Sequence, residues 1–156
     1  MGCGPGVLTG ALVARGARVV AVDASAAMLR VAARRVPSAS RKQADVRTYT
    51  PDDRFDAILL SFVMHELSAS DWPSVLRRLT TGLEPSGRLV IADHALPSTV
   101  AGDAWRRVLH RIETRAVDQW LDADVPALLD ESGLVACEDI RLAAGRVRLI
   151  VTGHRD

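Results

Sequence analysis

The chain has 156 residues, 48% of them hydrophobic and 25% charged, which is the profile of one globular domain with a sizeable core and excludes disorder, collagen and coiled coil. Twenty basic against nineteen acidic side chains leave a formal charge of +1, too weak a field to draw nucleic acid or an anionic membrane. No apolar run approaches the roughly 18 to 20 residues of a membrane helix, no secretory leader pattern precedes MGCGPG, and Cys3 and Cys137 form no metal knuckle or disulfide framework. A cytoplasmic protein that binds neither nucleic acid nor membrane is expected.

Short apolar runs alternate with helical patterns along the chain, the signature of βα units around a parallel sheet. Residues 7–15 read as a helix stopped by Gly16, and residues 17–23 (ARVVAVD) as a buried strand. Ser25 caps a helix that runs to about Val36 and ends at Pro37, and residues 40–46 form a weaker strand. The run 55–63 (FDAILLSFV) is the strongest strand, apolar enough to be covered on both faces. Residues 71–83 form a helix with Pro73 in its first turn, and a turn at Glu84-Pro85-Ser86-Gly87 introduces the strand 87–93 (GRLVIAD). One long helix is expected over 98–118, striped by Trp105, Leu109, Ile112 and Ala116. A short helix capped by Asp124 follows, then strands 134–141 and 146–152 joined by a tight turn at Ala143-Ala144-Gly145. The expected architecture is a doubly wound, mostly parallel α/β sheet with an antiparallel C-terminal edge hairpin.

The loop Gly2-Cys3-Gly4-Pro5-Gly6 stands directly before a helix, where glycines allow a tight turn and free N–H groups face a ligand. Its pattern is GxGxG, and Val7 stands where a dinucleotide fingerprint would carry its third glycine, which disfavours a nucleotide-dependent oxidoreductase. Asp23 closes the next strand, where a carboxylate can accept both hydroxyls of a ribose.

In chain order, GCGPG, VVAVDAS, QADV, FDAILLSFVMHEL and LEPSGRLVIAD resemble the successive motifs of class I S-adenosylmethionine-dependent methyltransferases, over about residues 2–152. The resemblance implies a Rossmann-like fold, S-adenosyl-L-methionine as cofactor and methyl transfer to an acceptor. It places Gly2, Cys3, Gly4, Pro5 and Gly6 near the methionine part of the cofactor and Asp23 on the ribose. Ala24 and Met28 would lie near the adenine face, Asp45 would accept the adenine amino group with Val46 beside it, and Ser61 and Phe62 would meet the reactive methyl group. Ser61-Phe62-Val63-Met64 occupies the place where nucleic-acid amino-methyltransferases carry an Asn/Asp-Pro-Pro-aromatic motif, so a small-molecule acceptor methylated at oxygen, nitrogen or carbon is expected.

The family also places a strand before the glycine loop, and an N-terminal helix that closes over the cofactor, where this sequence has only Met1. Residues 1–156 are therefore read as a single methyltransferase-like domain, N-terminally incomplete, with its first central strand truncated; a degenerate, non-catalytic relative is the alternative. His65 and Glu66 are the candidate catalytic bases, an imidazole near its ordinary pKa being suited to proton transfer at neutral pH. Asp93-His94 could begin a metal pair, but no third ligand is identifiable and no metal centre is expected. Arg107, Arg111 and Arg115 recur on the long helix as a solvated face, and Trp105 and Trp120 could line an acceptor pocket or pack as core. The oligomeric state is open.

Overall fold

A computed structural model describes residues 1–98, 101–113 and 116–154. The chain divides into two compact units, Met1–Tyr49 and Thr50–Asp156.

The first unit contains helix α1 (Val7–Val13), strand β1 (Val20–Asp23), helix α2 (Ala26–Arg35) and strand β2 (Ser40–Gln43). β1 and β2 pair in parallel, Val20 opposite Ser40 and Asp23 opposite Gln43, with α2 as the crossover. α2 packs on both strands and α1 packs on α2. Ala21, Val22, Ala32, Val36 and Tyr49 are buried here. The expected stops and caps are present: Gly16 has a φ of 88° just past α1, and the Ser25 hydroxyl accepts the Met28 N–H at 3.3 Å.

The second unit is built on a four-stranded sheet in the order β3-β4-β6-β5, with β3 at Phe55–Ser61, β4 at Leu83–His94, β5 at Leu134–Leu142 and β6 at Val147–His154. β3 and β4 are parallel and joined through α3 (Trp72–Thr80), while β6 runs antiparallel to both β4 and β5. The expected C-terminal hairpin is thus observed, and its turn carries three successive residues with positive φ, Ala143, Ala144 and Gly145. The turn at residues 84–87 is present but lies inside β4. Leu83 pairs with Phe55 and Arg88 with Ala57, so the intervening four residues bulge out and pairing resumes. From there Leu89, Ile91 and Asp93 alternate inward along β4. The third of these inward positions holds a carboxylate where its predecessors hold hydrocarbon.

Val75, Leu76 and Leu79 bury one face of α3, which packs on β4 and on α6 (Val125–Glu131). The Asp124 carboxylate caps α6 by accepting the Ala127 N–H at 3.1 Å. The long helix expected over 98–118 is instead two, α4 (Ala101–Ile112) and α5 (Ala116–Leu121). Residues 99–100 and 114–115 lie outside the described residues, and with them the third arginine of the Arg107, Arg111, Arg115 series. Leu109 is fully buried, Ile112 is 64% exposed, and Val117 and Trp120 are buried.

Candidate functional site

In the first unit the glycine loop is a backbone structure. Gly2, Gly4 and Gly6 all have positive φ, the Cys3 N–H donates to the Val22 carbonyl at 3.1 Å, and the Gly6 N–H donates to the Cys3 carbonyl at 3.0 Å. Gly6 is the tightest position. A Cβ there would lie 3.0 Å from Ala32 Cβ and 3.1 Å from its Cα, so glycine at residue 6 is what lets the loop pass α2.

Asp23, at the end of β1, holds this loop from the side. One carboxylate oxygen accepts the Gly4 N–H at 2.8 Å and the other accepts the Ser25 N–H at 2.9 Å. Each oxygen keeps a further acceptor position for a hydroxyl. The Cys3 thiol is pushed up from its ordinary pKa by burial and by the Asp23 charge, so it stays a thiol at neutral pH. Pro5 is exposed, and its carbonyl accepts from Arg35 at 3.2 Å.

Ala24 and Met28 are exposed and Val46 half-buried, the Ala24 carbonyl accepting from Gln43 at 3.1 Å. Asp45 is engaged with Arg47: the carboxylate accepts the Arg47 backbone N–H at 2.9 Å and its Nε at 3.0 and 3.1 Å. Those Arg47 hydrogen bonds hold the Asp45 carboxyl below the usual carboxylate range.

In the second unit the site centres on Asp93, whose side chain is fully buried. Its carboxylate accepts the backbone N–H groups of Met64 at 2.8 Å, His65 at 3.4 Å and His94 at 2.7 Å, and the His65 ring through Nδ1 at 2.7 Å. A buried carboxylate so surrounded is compensated. The bond from Nδ1–H fixes the His65 tautomer and leaves Nε2 as the ring's lone-pair nitrogen.

That Nε2 lies 3.4 Å from one oxygen of Glu113, and His94 Nε2 lies 3.4 Å from the other. Burial works against protonation of His65, but the Asp93 hydrogen bond and charge, helped by Glu113 and Glu66, prevail and raise its pKa above the ordinary value. His94 goes the other way, lowered by its own burial and by His65. Its Nδ1 is buried without a partner among the described residues.

Two tryptophans fix the backbone beneath these rings. Trp72 donates its indole N–H to the Met64 carbonyl at 2.9 Å, and Trp120 donates to the His94 carbonyl at 3.0 Å. The two indoles meet edge to face at 5.6 Å. Trp120 is therefore a buried support rather than a pocket wall. Trp105 is half-buried, 6.4 Å from the His94 ring, with the Arg146 guanidinium over its face at 5.3 Å. Ser61 ends β3 half-buried.

Phe62 follows with a φ of 53°, a left-handed conformation that costs a bulky residue about 1–3 kcal/mol. That backbone leaves the ring 40% exposed and edge-on to His94 at 4.9 Å and to His65 at 6.4 Å. Glu66 is exposed and makes no hydrogen bond to the cluster. Sequence reasoning named His65 and passed over Asp93 as its partner and Glu113 altogether. The available signal was position: Asp93 ends a parallel strand, the edge where open α/β sheets carry their sites. No comparable signal marked Glu113, which follows the last residue of α4.

This chain can now be set beside known proteins. A family model for the methyltransferase domain matches residues 1–87, and the chain belongs to that family. The trans-aconitate 2-methyltransferase of Azoarcus sp. (strain BH72) is 43% identical over 93 residues, 58% of this chain and 36% of that protein. An uncharacterized methyltransferase of Synechocystis sp. is 27% identical over 150 residues, covering 95% of this chain and 71% of its own length. The chain spans less than half the length of the first curated relatives it matches, 36% to 43%. Its fold is that of the mitomycin 7-O-methyltransferase MmcR, with a TM-score of 0.80 at 22% identity over 98% of this chain and 47% of that one. The architecture is thus the expected Rossmann-like α/β fold.

Proposed function

We propose that residues 1–156 form a methyltransferase-like domain that binds S-adenosyl-L-methionine and directs its methyl group to a small-molecule acceptor. The observation that carries this reading is the Asp23 carboxylate, which joins the glycine loop and the N-terminus of α2 through Gly4 and Ser25. A loop so held presents backbone N–H groups at fixed positions, and the same carboxylate is placed for ribose hydroxyls. The cofactor, when bound, supplies an activated methyl group; the protein contributes alignment and desolvation.

Gly2, Cys3, Gly4, Pro5 and Gly6 serve the methionine part, and Ala24, Met28 and Val46 serve the adenine. Asp45 would accept the adenine amino group with an oxygen that Arg47 already orients. Ser61 and Phe62 serve the methyl-transfer end. The groups that handle the acceptor are those gathered on Asp93, with His65 foremost; Glu66, being exposed, contributes through its charge. A small acceptor agrees with relatives named for trans-aconitate and mitomycin chemistry, and with a formal net charge of only +1. The cytoplasm suits two cysteines without a disulfide.

Calorimetric titration with S-adenosylhomocysteine tests the reading. Micromolar binding is expected, lost in Asp23→Ala while circular dichroism shows the fold retained. A folded chain that ignores the ligand would favour the non-catalytic alternative.

A further inference from the structure

We infer that His65, His94 and Glu113 form a binding site for one divalent first-row transition metal ion such as zinc. All three lie in the second unit, and one donor atom from each falls within 4.8 Å of the others. The donor set of two imidazoles and one carboxylate suits ions of this kind and leaves a fourth position for water or an acceptor oxygen.

The spacings also suit a bound ion. Both histidine–Glu113 distances are 3.4 Å, long for an N–H···O bond, whose usual range is about 2.7–3.2 Å. Ligands bonded at about 2.0–2.1 Å in a tetrahedron stand about 3.3–3.4 Å apart. Each ring nitrogen therefore already stands at about ligand–ligand distance from a Glu113 oxygen, a different oxygen for each ring, and the three donor atoms together lie within 4.8 Å.

The surroundings point the same way. Asp93 takes the proton-bearing Nδ1 of His65 at 2.7 Å, the carboxylate–histidine arrangement that turns the lone pair of Nε2 outward toward a metal and raises its basicity. Met64, His65 and His94 backbone donors hold that carboxylate, and the Trp72 and Trp120 indoles hold the adjoining carbonyls, so the ring positions are set before an ion arrives. The side chains of His65 and His94 are 3% and 11% exposed and that of Glu113 is 25% exposed, which leaves the approach at the carboxylate. Among the described residues His94 has no partner on Nδ1, and it is accordingly the weaker of the two nitrogen ligands.

This inference goes beyond the methyl-transfer reading and is tested without cofactor or acceptor. Protein dialysed against chelator is titrated with Zn²⁺ by calorimetry and with Co²⁺ by visible absorption. One saturable site is expected, with Co²⁺ bands of four- or five-coordinate geometry. Glu113→Gln and His94→Ala should each weaken Zn²⁺ at least about tenfold, and His65→Ala by more, as loss of a ligand requires when loss of an outer partner alone costs about 10–100-fold. His110→Ala, on a histidine paired with Asp118 elsewhere in this unit, should leave binding unchanged. Circular dichroism and melting of each variant separate lost ligation from lost fold, and Glu113→Gln keeps the side chain's shape at a partly exposed position. No saturable site in the folded wild-type chain, or unaltered affinity in Glu113→Gln and His94→Ala, would overturn the inference and return His65 to a metal-free proton acceptor. S-adenosylhomocysteine binding measured on the same samples keeps that outcome distinct from failure of the methyltransferase reading.

Discussion

The two units of this chain make their sites from different materials. In Met1–Tyr49 the site is main chain: three glycines of positive φ, a run of peptide N–H groups and one carboxylate that joins them. In Thr50–Asp156 it is side chain, with two imidazoles and two carboxylates drawn from β4, the turn after β3 and the end of α4, and with tryptophans beneath. A backbone site is written in consecutive residues, so local sequence pattern exposes it. A side-chain site is written in residues far apart in the chain, such as His65 and Asp93, 28 positions apart, and only folding brings them together.

The strongest way to break the comparison is to remove the carboxylate on which the second site rests. Asp93→Ala strips the partner from the His65 ring and from three backbone donors inside the core. Deleting one member of a buried charge-assisted network costs about 3–5 kcal/mol, and denaturant titration should show a loss of that order. A loss under about 1 kcal/mol would mean that the second unit does not depend on its buried polar centre.

The first unit should answer instead to its backbone. Gly6→Ala forces a left-handed alanine, costing about 1–2 kcal/mol, against Ala32 atoms 3.0 and 3.1 Å away, so about 2–3 kcal/mol is expected in all. Gly4→Ala meets nothing within 4 Å and should cost the backbone part alone, about 1–2 kcal/mol. Thermal melts of the two variants side by side measure the difference, and equal losses would remove the close approach of α2 as the reason for glycine at residue 6.

Between these lies Trp120→Phe. An aromatic ring is kept, though a smaller one, and the His94 carbonyl loses its indole donor, at about 1–2 kcal/mol for an unmade buried bond. Loosening at His94 should also appear as faster amide exchange at the end of β4.

The same division accounts for what could be read in advance. Strand and helix order, the Ser25 and Asp124 caps and the terminal hairpin follow from apolar periodicity and from residues that act within four positions of themselves. The bulge in β4 did not, because a turn sequence inside a strand looks like the boundary of one. Nor did the exposure of Ile112, since an apolar residue at helical spacing promises burial that Ile112 does not receive. At the site, Gly2 to Gly6 and Asp23 were legible, for their spacing and their job are both local. His65 was legible as a chemical type, whereas its relation to Asp93, His94 and Glu113 depends on strand register and on where a helix ends.

The smallest expected effect serves as the control for the comparison, because one device occurs in both units. Ser25 caps α2 at 3.3 Å and Asp124 caps α6 at 3.1 Å, each accepting the N–H three residues ahead. Replacing either by alanine should cost about 1 kcal/mol, since an N-cap is local and takes no account of the sheet beyond it. Amide exchange in the first turn of each helix reads the two losses independently. Near-equal values would show that the units follow the same local rules and differ only in how their sites are assembled. A Ser25→Ala loss well above that of Asp124→Ala would have another source. The Ser25 N–H is also bound to Asp23, so the excess would show that the cap and the glycine-loop carboxylate act as one structure. The contrast between the units would then extend from their sites into their secondary structure.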